Sequence, residues 1–254
     1  MSDKVTTMNI TIDSFKKFLS YIKELSLIDP TIVLSISDDD MMIYSFVGKN
    51  LNDIHAFKTV ITPTSEIFNK KKTIDNRIKF IIKDGRKFVK NIQTFVEFND
   101  DVKFKISYDT IDYNGNYLHI SNSKLKLKEI SGDPILMSKE ITKEDIEMLT
   151  DKSTSLFNFS IMSDDFKKIK RLSTIENTND ILQITIRDNE LFIGENKWEL
   201  KICDIDKPDL SVSFPKKYFN KLTLDDNSLL YMFENYILIS DSNSELMIVL
   251  EMSI

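Results

Sequence analysis

Apolar residues in this chain recur at two spacings. Between 13 and 25, Phe15, Phe18, Leu19, Ile22 and Leu25 fall at helical intervals, and Lys16, Lys17, Ser20 and Lys23 lie off that stripe. The spacing predicts a helix from about Asp13 to Leu25, with Asp13 or Ser14 as its cap. A second helix is predicted from about Asp84 to Phe95, turning Phe88, Val89 and Ile92 inward and Arg86, Lys87, Lys90 and Asn91 outward. A third, from about Asp164 to Glu176, buries Phe166, Ile169 and Leu172 and exposes Lys167, Lys168, Lys170 and Arg171. A fourth opens at Pro215, a favoured first helical position, and runs to Leu222. It turns Tyr218, Phe219 and Leu222 inward and Lys216, Lys217, Asn220 and Lys221 outward. Elsewhere the period drops to two. Val33–Tyr44 and Leu182–Ile193 each read as a strand, an acidic turn and a second strand, the signature of a β-hairpin.

These segments come in the same order twice. Asp13–Phe18 aligns with Asp164–Ile169, Val33–Tyr44 with Leu182–Ile193, Arg86–Ile92 with Lys216–Leu222, and Asn116–Ser123 with Asn235–Ser242. The offset falls from 151 at Phe15/Phe166 to 119 at Tyr117/Tyr236, so the first copy is longer by 32 residues. The surplus lies between Gly48 and Asp84 and between Phe95 and Asn116. Each copy reads as helix, hairpin, further strands, short helix and a closing pair of strands. The expected organisation is an α+β chain of two repeated domains, each with two helices packed on antiparallel sheets: 1–131, a connector over 132–155 opened by the turn signal Gly132-Asp133-Pro134, and 156–254.

Charge sharpens the picture. The chain carries a net −6, which taken alone argues against a nucleic-acid partner. Yet the four helical segments hold thirteen basic and six acidic residues, a local +7, leaving −13 for the remainder. Positive charge concentrated on equivalent elements of an acidic body predicts sequence-neutral contact with phosphates. The basic faces carry no interleaved aromatics, so duplex tracking is expected over single-strand stacking.

The composition, 41% hydrophobic and 29% charged, is that of a globular chain. No apolar run approaches the ~20 residues needed to span a bilayer, and the polar N-terminus gives no signal for secretion. A lone Cys203 fits a reducing, intracellular setting and reads as a small core residue. Abundant Lys, Asn, Asp and Ile with scarce Gly and Pro suggest an AT-rich genome such as that of a virus or phage.

A repeated helix–hairpin–helix–hairpin unit with two basic helices per copy resembles the DNA sliding-clamp family, in particular its two-domain subunits, proliferating cell nuclear antigen and the T-even phage clamps. The best stretches are Ile32–Val47 and Leu229–Glu251. The resemblance covers the whole chain and rests on pattern and order, since no short motif is diagnostic. It implies a DNA-clamp fold, a homotrimeric ring with helices lining the hole, and partners comprising double-stranded DNA, a DNA polymerase and a separate clamp-loader ATPase. The thirteen cations Lys16, Lys17, Lys23, Arg86, Lys87, Lys90, Lys167, Lys168, Lys170, Arg171, Lys216, Lys217 and Lys221 would face DNA. By position, Lys124–Lys128 and Trp198–Cys203 would be the edge strands that join subunits, and Met41, Met42, Ile135, Leu136 and Met252 would line a pocket for partner peptides. The alternative is a viral transcription or replication accessory factor of the same fold that closes no ring. The segment 49–83, with Lys70, Lys71, Lys72 and Arg77, departs from the family pattern and reads as either a further DNA-facing loop or a solvated one.

No catalytic constellation is legible. Five glycines stand alone, with no phosphate-binding loop or dinucleotide fingerprint. His55 and His119 with one cysteine give no zinc spacing, and Asp38-Asp39-Asp40 reads as a hairpin turn because the second copy has Arg187-Asp188-Asn189 there. Neither enzyme activity nor a cofactor or metal is expected.

Overall fold

Two compact units divide the chain, the first Met1–Ile54 with Lys58–Lys143, the second Glu144–Ile254 with His55–Phe57. The computed structural model describes residues 4–48, 54–70, 74, 76–133, 141–175, 180–222, 228–241 and 244–249.

The first unit runs β1 (Lys4–Ile10), α1 (Ile12–Leu25), β2 (Ile32–Ile36), β3 (Asp40–Gly48), β4 (Ile54–Pro63), α2 (Thr64–Ile67), β5 (Asn69–Lys70), β6 (Ile78–Ile82), α3 (Gly85–Glu97), β7 (Val102–Tyr108), β8 (Gly115–Ser121) and β9 (Lys126–Ile130). α4 (Lys143–Leu149) starts on the last residue of the first unit and leads into the second, which has a 3-10 turn at Lys152–Thr154. The second unit continues through β10 (Phe157–Ser160), α5 (Ser163–Ile175), β11 (Ile181–Arg187), β12 (Glu190–Glu195), β13 (Trp198–Asp204), β14 (Leu210–Pro215), α6 (Lys216–Phe219), β15 (Leu229–Met232), β16 (Tyr236–Ser240) and β17 (Glu245–Val249). Without α2 and β5, the order strand, helix, four strands, helix, three strands occurs twice, and all four aligned sequence segments occupy equivalent elements.

The sheets repeat as well. In the first unit β1-β7-β8-β9 are neighbours, extended by β5 beside β1, and β4-β3-β2-β6 follow in the other sheet. Their counterparts are β10-β15-β16-β17 and β13-β12-β11-β14. β9 lies at an edge of its sheet and β13 at an edge of its own. α2 and β5 fall within the longer first copy and account for part of its surplus.

Periodicity builds the core directly. β7 alternates buried Val102, Phe104, Ile106 and Tyr108 with outward Lys103, Lys105 and Ser107. α1 buries Phe15, Phe18, Leu19, Tyr21, Ile22 and Leu25, and α3 buries Phe88, Ile92 and Phe95. Rings lock the layers together: Phe104 meets Phe15, Phe18 and Phe68 at centroid distances of 6.0, 5.6 and 5.4 Å, and Phe15 meets Phe95 of α3 at 6.2 Å. The second unit packs Phe166 of α5 edge-on to Phe219 of α6 at 4.9 Å.

Several expectations change in detail. The cap of α1 is Thr11, whose hydroxyl accepts from the Ser14 amide, and Asp13 sits in the first turn. Pro215 caps α6 from outside the helix, which is one turn and not two. Cys203 is half-buried on the edge strand β13, outside the core. The expected hairpin at 188–189 is present, and Asp188 and Asn189 both take positive φ (52° and 60°), as a two-residue type I′ turn requires.

Candidate nucleic-acid interface

The basic helix backs survive into the structure unequally. On α1 and α3 the apolar stripes face the core, so the intervening cations point outward: Lys16, Lys17, Lys23, Arg86, Lys87 and Lys90 are all exposed. Lys16 pairs with Asp13 at 3.3 Å one turn back. Lys17 reaches Glu66 of α2 at 3.0 Å, and that hydrogen bond raises its pKa against a small opposing effect of burial. Arg86 gives its Nε to the Ser26 carbonyl at 3.3 Å, which anchors the guanidinium at the start of α3.

On α5, Lys167, Lys168 and Arg171 are exposed. Lys167 and Lys168 hold Asp164 and Asp165 at 3.1 and 2.8 Å. Exposed, solvent-screened pairs of this kind add little stability, so they exchange readily for another anion. Lys170 departs from its predicted outward position. Its Nζ donates to the Leu222 carbonyl at 2.9 Å and lies 5.4 Å from the Phe166 ring centroid, and desolvation pushes its pKa down.

The fourth helix needs a correction. Lys216, expected on the outer face, is buried: it pairs with Glu195 of β12 at 3.3 Å with side-chain exposures of 7% and 2%, and donates to the Ser173 carbonyl at 3.1 Å. With α6 reduced to one turn, its first residue sits under α5 and not on an outer stripe. Lys217 is exposed beside the Tyr218 ring, and Lys221 is half-buried on the same ring at 6.0 Å.

Of the expected peptide-pocket residues, Met41 fills the first unit's core and Met42 is buried at 1% exposure, so neither offers an open surface. Ile135, Leu136 and Met252 lie outside the described residues, as do Lys71 and Lys72.

The sequence missed the role of Asp40. Its carboxylate holds Arg77 from the long segment and Lys143 at the start of α4, the latter at 2.9 Å, while Asp38 accepts from the Ile74 amide at 2.9 Å. The acidic turn therefore pins the extra segment through Arg77, whose side chain is only a quarter exposed. Burial alone would raise the Asp40 pKa, but hydrogen bonds from Lys143 and Arg77 outweigh it and hold it low. A depressed carboxylate stabilises the fold above its ordinary pKa, and that stability is lost as pH falls through the folded value. Asp40→Asn is expected to cost about 1–3 kcal/mol at neutral pH and to flatten the loss of stability on acidification. Urea midpoints measured across the acid range check both effects, and an unchanged acid limb refutes the assignment.

Among the described residues no cluster of three or more His, Cys, Asp or Glu could hold a metal, and no helix is long and apolar enough to cross a membrane. No protein-family model matches the sequence, and no curated protein matches it. Solved structures do match, over nearly the whole chain. The β clamp of Helicobacter pylori bound to a DNA ligase peptide superposes with a TM-score of 0.71 at 12% identity, covering 100% of this chain and 67% of that one. The DNA polymerase sliding clamp of Bacillus subtilis gives 0.67 at 13% identity, covering 99% and 66%. Proliferating cellular nuclear antigen from Entamoeba histolytica gives 0.63 at 13% identity, covering 97% of this chain and 99% of that one. The fold is that of the DNA sliding clamps. The chain spans about two thirds of the bacterial clamp subunits and nearly all of the Entamoeba protein. Two clamp-type units in one chain also explain the repeat: each needs two helices over two sheets, so the same pattern of stripes and hairpins is written twice.

Proposed function

We propose that this chain is a sliding-clamp subunit, a non-enzymatic processivity factor that encircles duplex DNA and tethers a DNA polymerase to it. The observation that carries the reading is the repeated clamp unit whose helix backs present exposed cations, Lys23, Lys87, Lys90, Lys167, Lys168 and Arg171 among them, on a chain that is acidic elsewhere. A ring holds DNA by topology, so weak, screened contacts to phosphate suffice and permit sliding.

Closure needs one end of each subunit to fit the other end of the next. The open edges β9 and β13, one on each unit, supply two different ends, and three copies of a two-unit chain make the homotrimer. With no phosphate-binding loop in the sequence, opening falls to a separate loader ATPase. The clamp acts inside the cell at replication forks, and partner proteins dock on it by short peptides, as the ligase peptide does on the Helicobacter clamp.

Light scattering over a concentration series tests closure. A mass near three times 29.6 kDa is the expected result. A monomer at every concentration, together with no retention on circular DNA after loading, would favour an accessory factor of the same fold that closes no ring.

A further inference from the structure

The outer face of the β1-β7-β8-β9 sheet carries a second concentration of positive charge, separate from the helix backs. Strand alternation puts Lys103 and Lys105 of β7, His119 of β8, and Lys126 and Lys128 of β9 on this face, all exposed. The pairing register aligns them in rows. Lys105 stands opposite His119 and His119 opposite Lys128, while Lys103 and Lys126 flank Ser121. The one carboxylate in these four strands, Glu129, alternates to the opposite face. Among the described residues none of the four lysines forms an ion pair.

Two bland explanations fail. Lysines commonly guard edge strands against wrong pairing, but Lys103 and Lys105 are on β7, which is paired on both sides. Nor does the fold demand the charge, because the equivalent strands β10, β15, β16 and β17 of the second unit contain no Lys, Arg or His. Like charges in neighbouring rows repel, so the face keeps a cost that an anionic partner would relieve.

We propose that this face docks an extended acidic segment of a partner protein. Such a segment has the same two-residue repeat of about 6.8 Å as the strands beneath it, so carboxylates at alternate positions register on successive lysines. The next row of the face supplies apolar contacts: Val5 stands opposite Ser107, Ser107 opposite Tyr117 and Tyr117 opposite Ile130, and Val5 and Ile130 are 53% and 57% exposed. Aliphatic side chains following the acidic ones would seat there. Nucleic acid fits the same face less well. It offers no guanidinium fork, its Tyr117 ring is already covered by the Lys128 ammonium at 3.6 Å, and Val5 and Ile130 would gain nothing from phosphates.

The proposal is independent of ring closure, and its test avoids the edge lysines. A fluorescein-labelled peptide of roughly a dozen residues, Glu alternating with Ser and then Val alternating with Ser, is titrated with the full chain and followed by anisotropy. K103E/K105E is expected to weaken binding at least about tenfold, and the milder K103Q/K105Q about fivefold. The helix variant K167A/K168A/R171A should bind the peptide as the parent does. No binding to the parent chain, or equal binding by both lysine pair variants with their circular dichroism unchanged, overturns the proposal. So does a labelled DNA duplex that displaces the peptide and loses affinity in parallel, which would assign the face to nucleic acid.

Discussion

Lys216→Ala is expected to destabilise the second unit by about 3–5 kcal/mol, because it leaves the Glu195 carboxylate buried without its cation. The site is screened from solvent: the two side chains are 7% and 2% exposed. Lys216 also satisfies the Ser173 carbonyl on α5, so the same change loosens the packing of α5 against α6. The asymmetry of buried pairs gives the control. Removing both charges together, as in Lys216→Met with Glu195→Leu, should recover most of the loss, since desolvating two ions costs about as much as their attraction returns. Urea unfolding followed by a probe in the second unit measures both variants. A loss below about 1 kcal/mol for the single change would mean that the pair is open to water. On the clamp reading the variant would also separate stability from DNA binding, because a buried ammonium contributes nothing to the salt dependence of such binding.

The second large effect belongs to the exposed face of α5. On the clamp reading, K167A/K168A/R171A should reduce clamp-stimulated DNA synthesis and make the dependence of log K on log salt shallower by roughly 0.9 for each phosphate no longer neutralised. The fold should be unaffected, because the ion pairs broken are exposed and local. Lys170→Ala is the internal comparison. Its ammonium is committed to the Leu222 carbonyl, so it should leave the salt slope alone and lower stability modestly. An unchanged slope in the triple variant would remove α5 from the DNA-facing set, and a changed slope in the Lys170 variant would mean that the side chain swings out to reach DNA.

The contrast between Lys170 and its neighbours marks how far the sequence could be read. Helical stripes such as Phe15-Phe18-Leu19-Ile22 and hairpins such as Leu182–Ile193 are local patterns, and because they recur in order they revealed the repeat and, through it, the architecture. What a lysine does depends on partners far along the chain. Lys216 looked like Lys217 by spacing, but Glu195, 21 residues upstream, takes it inward. The acidic run at 38–40 looked like any turn, and the cations that give it a role are Arg77 and Lys143. Met41 and Met42 were placed at a pocket by resemblance alone, and strand β3 buries both. Lys126 and Lys128 were read only as part of an edge strand and Lys103 and Lys105 not at all, because alternation within β7 and β9 does not disclose that both strands are neighbours of β8.

The two open edges also carry a sense of direction. β9 presents Lys126 and Lys128, so two β9 edges brought together would set ammonium against ammonium across the seam. β13 carries Glu199 and Asp204 with their own counter-charges Arg187 and Lys201 close by, and it offers no such repulsion to an incoming β9. On the clamp reading, two subunits meeting β9 to β9 would be turned away, while β9 to β13 would be tolerated. In a ring closed that way, the polarity of assembly would be set by a few side chains before any partner arrives.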